Sequence, residues 1–341
     1  MRAACAGVLL AAAMAPAGMA EPRYTHLSFS DLDGWAEDDH TAALTAFMET
    51  CPDLEDREWE ALCAVGQSGP EARSFFELFF RPVLIEDGNP ALFTGYYEPE
   101  LSGSLNRTDE YRYPLYRRPP EVQPGEIWLT REEIEKSRVL ANRGLEIAWI
   151  DDPVDVFFLQ IQGSGRVQLD DGRKIRVGYG GRNGHEYRSV GTELVRRGVY
   201  EPHQVSASVI RNYVRQNPDA GAALLQHNPS FIFFREVSDV PSEAGPLGAM
   251  NRSITALRSL AVDPDYTPLG APVWVEKEGV TPLRRLMIAQ DTGSAIKGAQ
   301  RADVFYGTGQ EAGEAAGVVR DPGRMVVLLP IERAFALAPD G

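Results

Sequence analysis

The sequence predicts a mainly β protein with helices, whose C-terminal part closes into a small barrel. Two patterns carry that reading. From Gly245 onward, SLAVD, APVWVEKE, RRLMIAQD, ADVFYG and RMVVLLP read as short strands between turns marked by glycine and proline. Before Pro82, apolar residues recur at spacings of three and four, the period of a helix. At 341 residues the chain has room for two domains, or for one large domain with an insertion.

The elements follow in order. Residues 1–20, MRAACAGVLLAAAMAPAGMA, join an early arginine, a short apolar core and small residues near the end. This reads as a secretory signal peptide, cut after Ala20 or Ala17, and its apolar run is too short to span a bilayer. Cys5 precedes that core, the wrong place for lipid acylation. Cys51 and Cys63 remain, and in an exported chain they read as a disulfide, with two buried thiols as the alternative. DHTAALTAFMETC and SGPEARSFFELFF form helices, with Asp38, Asp39 and Ser68 as candidate N-caps. Pro82 and the EDGNP turn end them. ALFTGYYEPELSGS is a strand and then a loop, and the Pro-, Arg- and Tyr-rich residues 101–140 form a connector. Within it, Thr130 and Glu133 have the spacing of a capping box. LEIAWI, VDVFFLQIQGSGRVQL and RKIRVGYGG are strands, with a hairpin turn at Asp170–Gly172. Helices cover Tyr187–Arg197 and His203–Gln216, FIFFREV is a buried strand, and a boundary falls near Val240.

Composition narrows the function. A hydrophobic content of 43% supports a sizeable core. A net charge of −15 argues against nucleic acid as a partner, because phosphate binding wants a basic surface. His185 and Glu186 are adjacent, which is not the HExxH spacing of a zinc site, and the glycine-rich LQIQGSG lacks the lysine of a phosphate loop. No metal and no cofactor are expected.

FTGYYEPEL, LQIQGSGRV, GRNGHEYRSVG and NPSFIFF are followed by SLAVDPDYTPLGAPVWVE, DTGSAIKG and ADVFYGTG. In that order, over about Pro82 to Pro330, they resemble the membrane-bound lytic murein transglycosylase A family. The last three resemble its three-aspartate (3D) module, whose name fits Asp263, Asp291 and Asp303. The resemblance implies a double-psi β-barrel built from N- and C-terminal parts, with an inserted β-rich domain and a groove between them. On that reading, residues 21–100 hold the helical region and first barrel strands, 101–237 the insert, and 238–341 the rest of the barrel. It also implies cleavage of the β-1,4 bond between N-acetylmuramic acid and N-acetylglucosamine in peptidoglycan, leaving a 1,6-anhydro end. Glycan strands are then the partner and the periplasm the location, with at most a peripheral association with the outer membrane.

Glycoside cleavage needs a proton on the departing oxygen and support for an oxocarbenium-like centre. Where the sugar's own C6 hydroxyl attacks, one carboxyl can act first as acid and then as base. By resemblance Asp303 is that catalytic group, and its flanks Ala302, Val304 and Phe305 would raise its pKa by partial burial. Asp291 is a second catalytic candidate, which orients Asp303, binds sugar hydroxyls, or bonds its own turn. Asp263 shapes a turn before Pro264, and Lys297 reads as a surface residue. Candidate substrate-binding residues are Thr94, Tyr96 and Tyr97, the two tyrosines facing opposite ways along a strand. Gln162, Gly163, Ser164 and Gly165 offer neutral two-way partners for sugar hydroxyls, or form a glycine-rich bulge. His185, Tyr187 and Arg188 would line or support the groove. Glu98 is a candidate second carboxylate, so a hydrolase remains an alternative, as does a non-catalytic wall-binding protein.

Overall fold

The computed structural model of the protein describes residues 21–241 and 243–337. The signal-peptide reading of residues 1–20, Cys5 included, lies outside them. Strand β1 (Arg23–His26) precedes helices α1 (His40–Thr50), α2 (Arg57–Gln67) and α3 (Ala72–Phe79), then β2 (Phe80–Glu86) and β3 (Leu92–Glu98). The middle of the chain holds β4 (Glu100–Ser104), β5 (Tyr113–Tyr116), α4 (Arg131–Ser137), β6 (Glu146–Ile150), α5 (Pro153–Gln162) and β7 (Gly165–Leu169). It continues with β8 (Lys174–Arg182), α6 (Val190–Arg196), α7 (Ala207–Gln216), α8 (Pro218–Leu225) and β9 (Ile232–Glu236). Last come β10 (Ser259–Val262), β11 (Pro272–Lys277), β12 (Leu283–Thr292), β13 (Arg301–Thr308) and α9 (Gln310–Gly317). The chain then forms β14 (Arg320–Asp321), β15 (Gly323–Pro330) and α10 (Ile331–Leu337).

One sheet runs β1-β2-β15-β11-β12-β10-β13-β3-β14. Its edge strand β14 ends at Asp321 and β15 begins at Gly323, a span of about 7 Å. The sheet must therefore curl until β3 and β14 approach β15, so that six strands nearly close on themselves. Val262, Val273, Val275, Met287, Val304 and Phe93 fill the inside. The strands expected after Gly245 are all present, but the barrel takes β3 from the N-terminal side, and β2 extends the sheet beyond β15.

The outer face is covered by α1–α3. Phe47, Phe75, Phe76 and Phe80 pack with ring centroids 5.2–6.4 Å apart. Each contributes about 2–3 kcal/mol by leaving water. The Cys51–Cys63 disulfide ties the end of α1 to α2.

The second sheet, β5-β6-β4-β7-β8-β9, also nearly closes, because Arg117 after β5 bridges to Phe234 in β9. Leu115, Ala148, Ile150, Val167, Val177 and Phe234 fill it. Helices α5–α8 form their own cluster around Phe157, Leu194 and Leu224.

Several local expectations are corrected. VDVFFLQIQ is helix α5, capped by Asp152 with Pro153 at its first turn, and only GRVQL is strand. Its β-branched and aromatic residues suit a helix here because one face is packed against other helices. ELSGS is strand β4 rather than loop, and the supposed connector contains strand β5. Residues before Pro82 include β1, and Pro82 itself lies inside β2. Ser68 ends α2, while Glu71 caps α3. Asp39 caps α1 as expected, but Asp38 instead holds Arg258. The capping box of Thr130 and Glu133 forms.

Candidate active site

Strand register builds the aspartate cluster. Ala261 on β10 is the partner of Asp291 on β12 and of Asp303 on β13. The two carboxyl-bearing backbones thus flank one strand, about 10 Å apart. A β-bulge sets this up: Leu260 pairs with Ala289 but Ala261 with Asp291, leaving Gln290 as the extra residue. Gln290 is buried and donates to the Ala46 carbonyl (3.3 Å), which anchors the bulge. Across the parallel β13–β3 pair, Asp303 faces Thr94.

Asp303 is half-buried. Thr94 Oγ1 donates to its Oδ1 (2.7 Å), and Arg301 Nη2 donates to Thr94 Oγ1 (2.8 Å). Among the described residues nothing hydrogen-bonds Oδ2. Burial raises the Asp303 pKa against the opposing pull of Thr94 and Arg301. Burial conversely lowers the Arg301 pKa, and the charge of Asp303 opposes that. Asp291 Oδ1 accepts from the backbone N–H groups of Ala249 and Thr292 (both 2.9 Å). Burial nevertheless pushes its carboxyl up to about 6. The Tyr96 hydroxyl lies close enough to Asp291 to interact with it, yet makes no hydrogen bond of good geometry among the described residues. Burial and the two aspartates raise its pKa well above that of an ordinary phenol. Its ring packs 5.2 Å from that of Phe305.

Asp303, Asp291, Thr94 and Tyr96 therefore come together. Tyr97 points the other way, as strand alternation requires: its hydroxyl accepts from Arg211 (3.2 Å). Its N–H donates to Gln162 Oε1 (3.1 Å), so Gln162 joins the end of α5 to β3. Gly163 ends α5 in the left-handed conformation (φ +80°), a helix C-cap rather than a bulge. Ser164 follows it, and Gly165 packs where a side chain would strike Leu159 and Pro99.

His185, Tyr187 and Arg188 lie elsewhere. They follow β8, whose other end carries Arg176, six residues and about 20 Å before Arg182. His185 Nε2 donates to the Trp128 carbonyl (2.7 Å), Tyr187 is half-buried, and the Arg188 N–H donates to Asn228 (3.1 Å). The structure does not bring these three to the aspartate cluster. Asp263 accepts from Lys297 (3.2 Å) and the Gly298 N–H (2.9 Å), so it holds a turn, and Lys297 is exposed.

Glu98 sits at the junction of the two sheets and is fully buried. Arg166 on β7 donates to its Oε2 (2.9 Å), Arg176 on β8 lies 3.0 Å from Oε1, and Thr308 on β13 donates to Oε2 (2.8 Å). Thr308 reaches it through a second bulge, where Gly307 adopts φ +113°, closed to other residues. The two arginines also bind the Ala244 carbonyl in the segment that returns from the second sheet. A carboxylate so enclosed has no access to water or substrate. Sequence reasoning missed Arg301 and the arginine partners of Glu98. Arg301 had a visible signal, since residues two apart on a strand share a face with each other. Among the described residues no group of three His, Cys, Asp or Glu converges as metal ligands would.

Comparison with known proteins bears on this geometry. Residues 92–235 match the MltA specific insert domain, and residues 258–329 match the 3D domain. Membrane-bound lytic murein transglycosylase A of Vibrio cholerae is 32% identical over 271 residues, covering 75% of this chain and 70% of the relative. The chain belongs to the membrane-bound lytic murein transglycosylase A family. The protein of that name from Escherichia coli K12 is 35% identical over 242 residues, or 69% of this chain; the match spans 65% of the relative's length, just under two thirds. The crystal structure of membrane-bound lytic murein transglycosylase from Agrobacterium tumefaciens superposes with a TM-score of 0.82 at 33% identity. It covers 92% of this chain and 99% of the other. An Escherichia coli family structure with bound chitohexaose gives a TM-score of 0.71 at 27% identity, covering 88% and 90%. No helix among the described residues is long and apolar enough to cross a membrane.

Proposed function

We propose that this chain is a lytic transglycosylase of murein. It cleaves the β-1,4 bond between N-acetylmuramic acid and N-acetylglucosamine and leaves a 1,6-anhydro end. The observation that carries the reading is the state of Asp303: one oxygen held by Thr94, the other without a protein partner, in a setting that favours the protonated form. Protonated Asp303 donates to the bridging oxygen as the C1–O bond breaks. Positive charge builds at C1, and the new carboxylate is steadied by the Thr94 hydroxyl and the Arg301 charge behind it. The C6 hydroxyl then attacks C1 and returns its proton to Asp303, with no water consumed. Asp291 and Tyr96 flank the centre and act on sugar hydroxyls or on the orientation of Asp303. Tyr97, Gln162 and the Gly163–Gly165 turn border the passage between the sheets. The family names of the relatives and the bound chitohexaose in one of them support a glycan substrate. The double-psi connection of the barrel and a periplasmic location are part of the same reading.

Digestion of purified murein followed by mass spectrometry tests it. Products lighter by one water than reducing muropeptides are expected. A reducing muramic acid would instead assign a hydrolase, and Asp291 is then the group to activate water, because at about 6 it is ionised at neutral pH. Glu98 is not available for that task.

A further inference from the structure

A cavity of ≈ 960 Å³ opens on the middle part of the chain and includes none of the aspartate cluster. Its volume falls at the upper end of the range for built ligand sites, roughly 300–1,000 Å³. It is lined by Tyr113, Tyr116 and Trp149 on β5 and β6, by α4 and the loop after it, and by parts of α5 and α8. Ile134, Leu140 and Phe231 add apolar lining.

The charges at its mouth give it a specificity. Arg131 and Arg215 are engaged, by Glu135 and Gln160 and by Asp152 and Asp155. Arg107, Arg112 and Arg138 are exposed and have no ion-pair or hydrogen-bond partner for their side chains among the described residues. Arg112 is held over the Tyr113 ring at 5.8 Å. Glu146 and Asp151 reach the cavity too, and their carboxylates have no arginine or lysine partner among the described residues. In a chain of net charge −15, this one cavity thus presents three open guanidinium groups against two open carboxylates. Arg138 reaches the cavity from the left-handed C-cap of α4 (φ +56°).

We propose that this cavity binds the peptide stem that murein carries on its muramic acid, a proposal that rests on the murein reading above. The complementary ligand has more carboxylates than amines, at least one amine, and small aliphatic side chains. A stem peptide with acidic and diamino residues has that make-up, whereas a neutral glycan offers no carboxylate to three guanidinium groups, which favour paired carboxylate oxygens. A stem held here keeps its strand on the enzyme between cuts and raises the local concentration of the next bond.

The test is calorimetric titration of the full chain with the stem tetrapeptide freed from murein by an amidase. Binding is expected, to weaken at least about tenfold in the Arg112→Gln/Arg138→Gln double variant, and to fall with added salt. Both side chains are exposed, so the variant should melt with the parent. The Asp303→Asn chain should bind the stem as the parent does. No binding by the parent chain, undiminished binding in the double variant, or displacement by chitohexaose would each overturn the proposal. If murein is not cleaved but the stem binds as described, the catalytic reading fails and this one stands. If murein is cleaved but the stem does not bind, the reverse holds.

Discussion

Asp303 and Glu98 lie on adjacent parallel strands, β13 and β3, the first partly and the second fully withdrawn from water, but the protein treats them oppositely. Glu98 is met by two guanidinium groups and a hydroxyl, from three different strands. Asp303 is met by one neutral hydroxyl, with the nearest cation standing behind it. Desolvation of a carboxylate is costly in either place, and two flanking guanidinium groups offset it in the first case only. The first group is therefore held in position and joins the sheets. The second keeps an open oxygen and a raised pKa, the conditions for moving a proton.

The contrast can be broken at several points. Asp303→Asn should lower murein cleavage by about 10³-fold or more, measured as anhydro product released, with a melting temperature equal to or above the parent's. Near-parental turnover would end the comparison. Glu98→Ala should cost about 3–5 kcal/mol in denaturant unfolding, because it strands two nearly buried arginines, with Glu98→Gln losing less. A Glu98→Gln chain that is fully stable yet inactive would make Glu98 a reacting group. Thr94→Val should lower kcat about tenfold, the loss of one hydrogen bond worth about 1–1.5 kcal/mol. Because that bond holds the Asp303 pKa down, the alkaline limb of the pH–rate profile should move to higher pH.

Asp291 gives the smallest effect. Its carboxyl rises from 3.8 to about 6 on folding, so the folded state binds the proton more tightly. Stability conferred at this site should then fall as pH rises from about 4 to about 6. Asp291→Asn should flatten that slope and raise stability at pH 7 by about 1 kcal/mol, discounted for partial exposure, in melts across the pH range.

Much of this was legible in the sequence, for local reasons. The short strands from Ser259 to Pro330 are apolar runs set off by glycine- and proline-marked turns, the hairpin turn at Asp170–Gly172 has its turn residues, and the Thr130–Glu133 box has its spacing. Helix α5 was misread because VDVFFLQIQ has the composition of a buried strand; the Asp-Pro start was the better signal, as a cap followed by proline opens helices. In the candidate site, the grouping of Asp291, Asp303, Thr94 and Tyr96 follows from strand register, with a single-residue bulge at Gln290 setting the alignment. No short-range pattern encodes that bulge. Glu98 looked reactive because its arginines stand 68 and 78 positions away in the chain.

Strand β3 has a consequence for how such proteins can be assembled. It falls in the segment matched to the insert domain, yet its hydrogen bonds go to β13 and β14 in or near the segment matched to the 3D domain. Shuffling either segment into another gene by itself would carry off half of a ladder. The recipient would gain an unzipped edge prone to sticking, and an acid bereft of its hydroxyl clasp. In this chain the two segments are thus one structural unit, joined through the β3–β13 ladder.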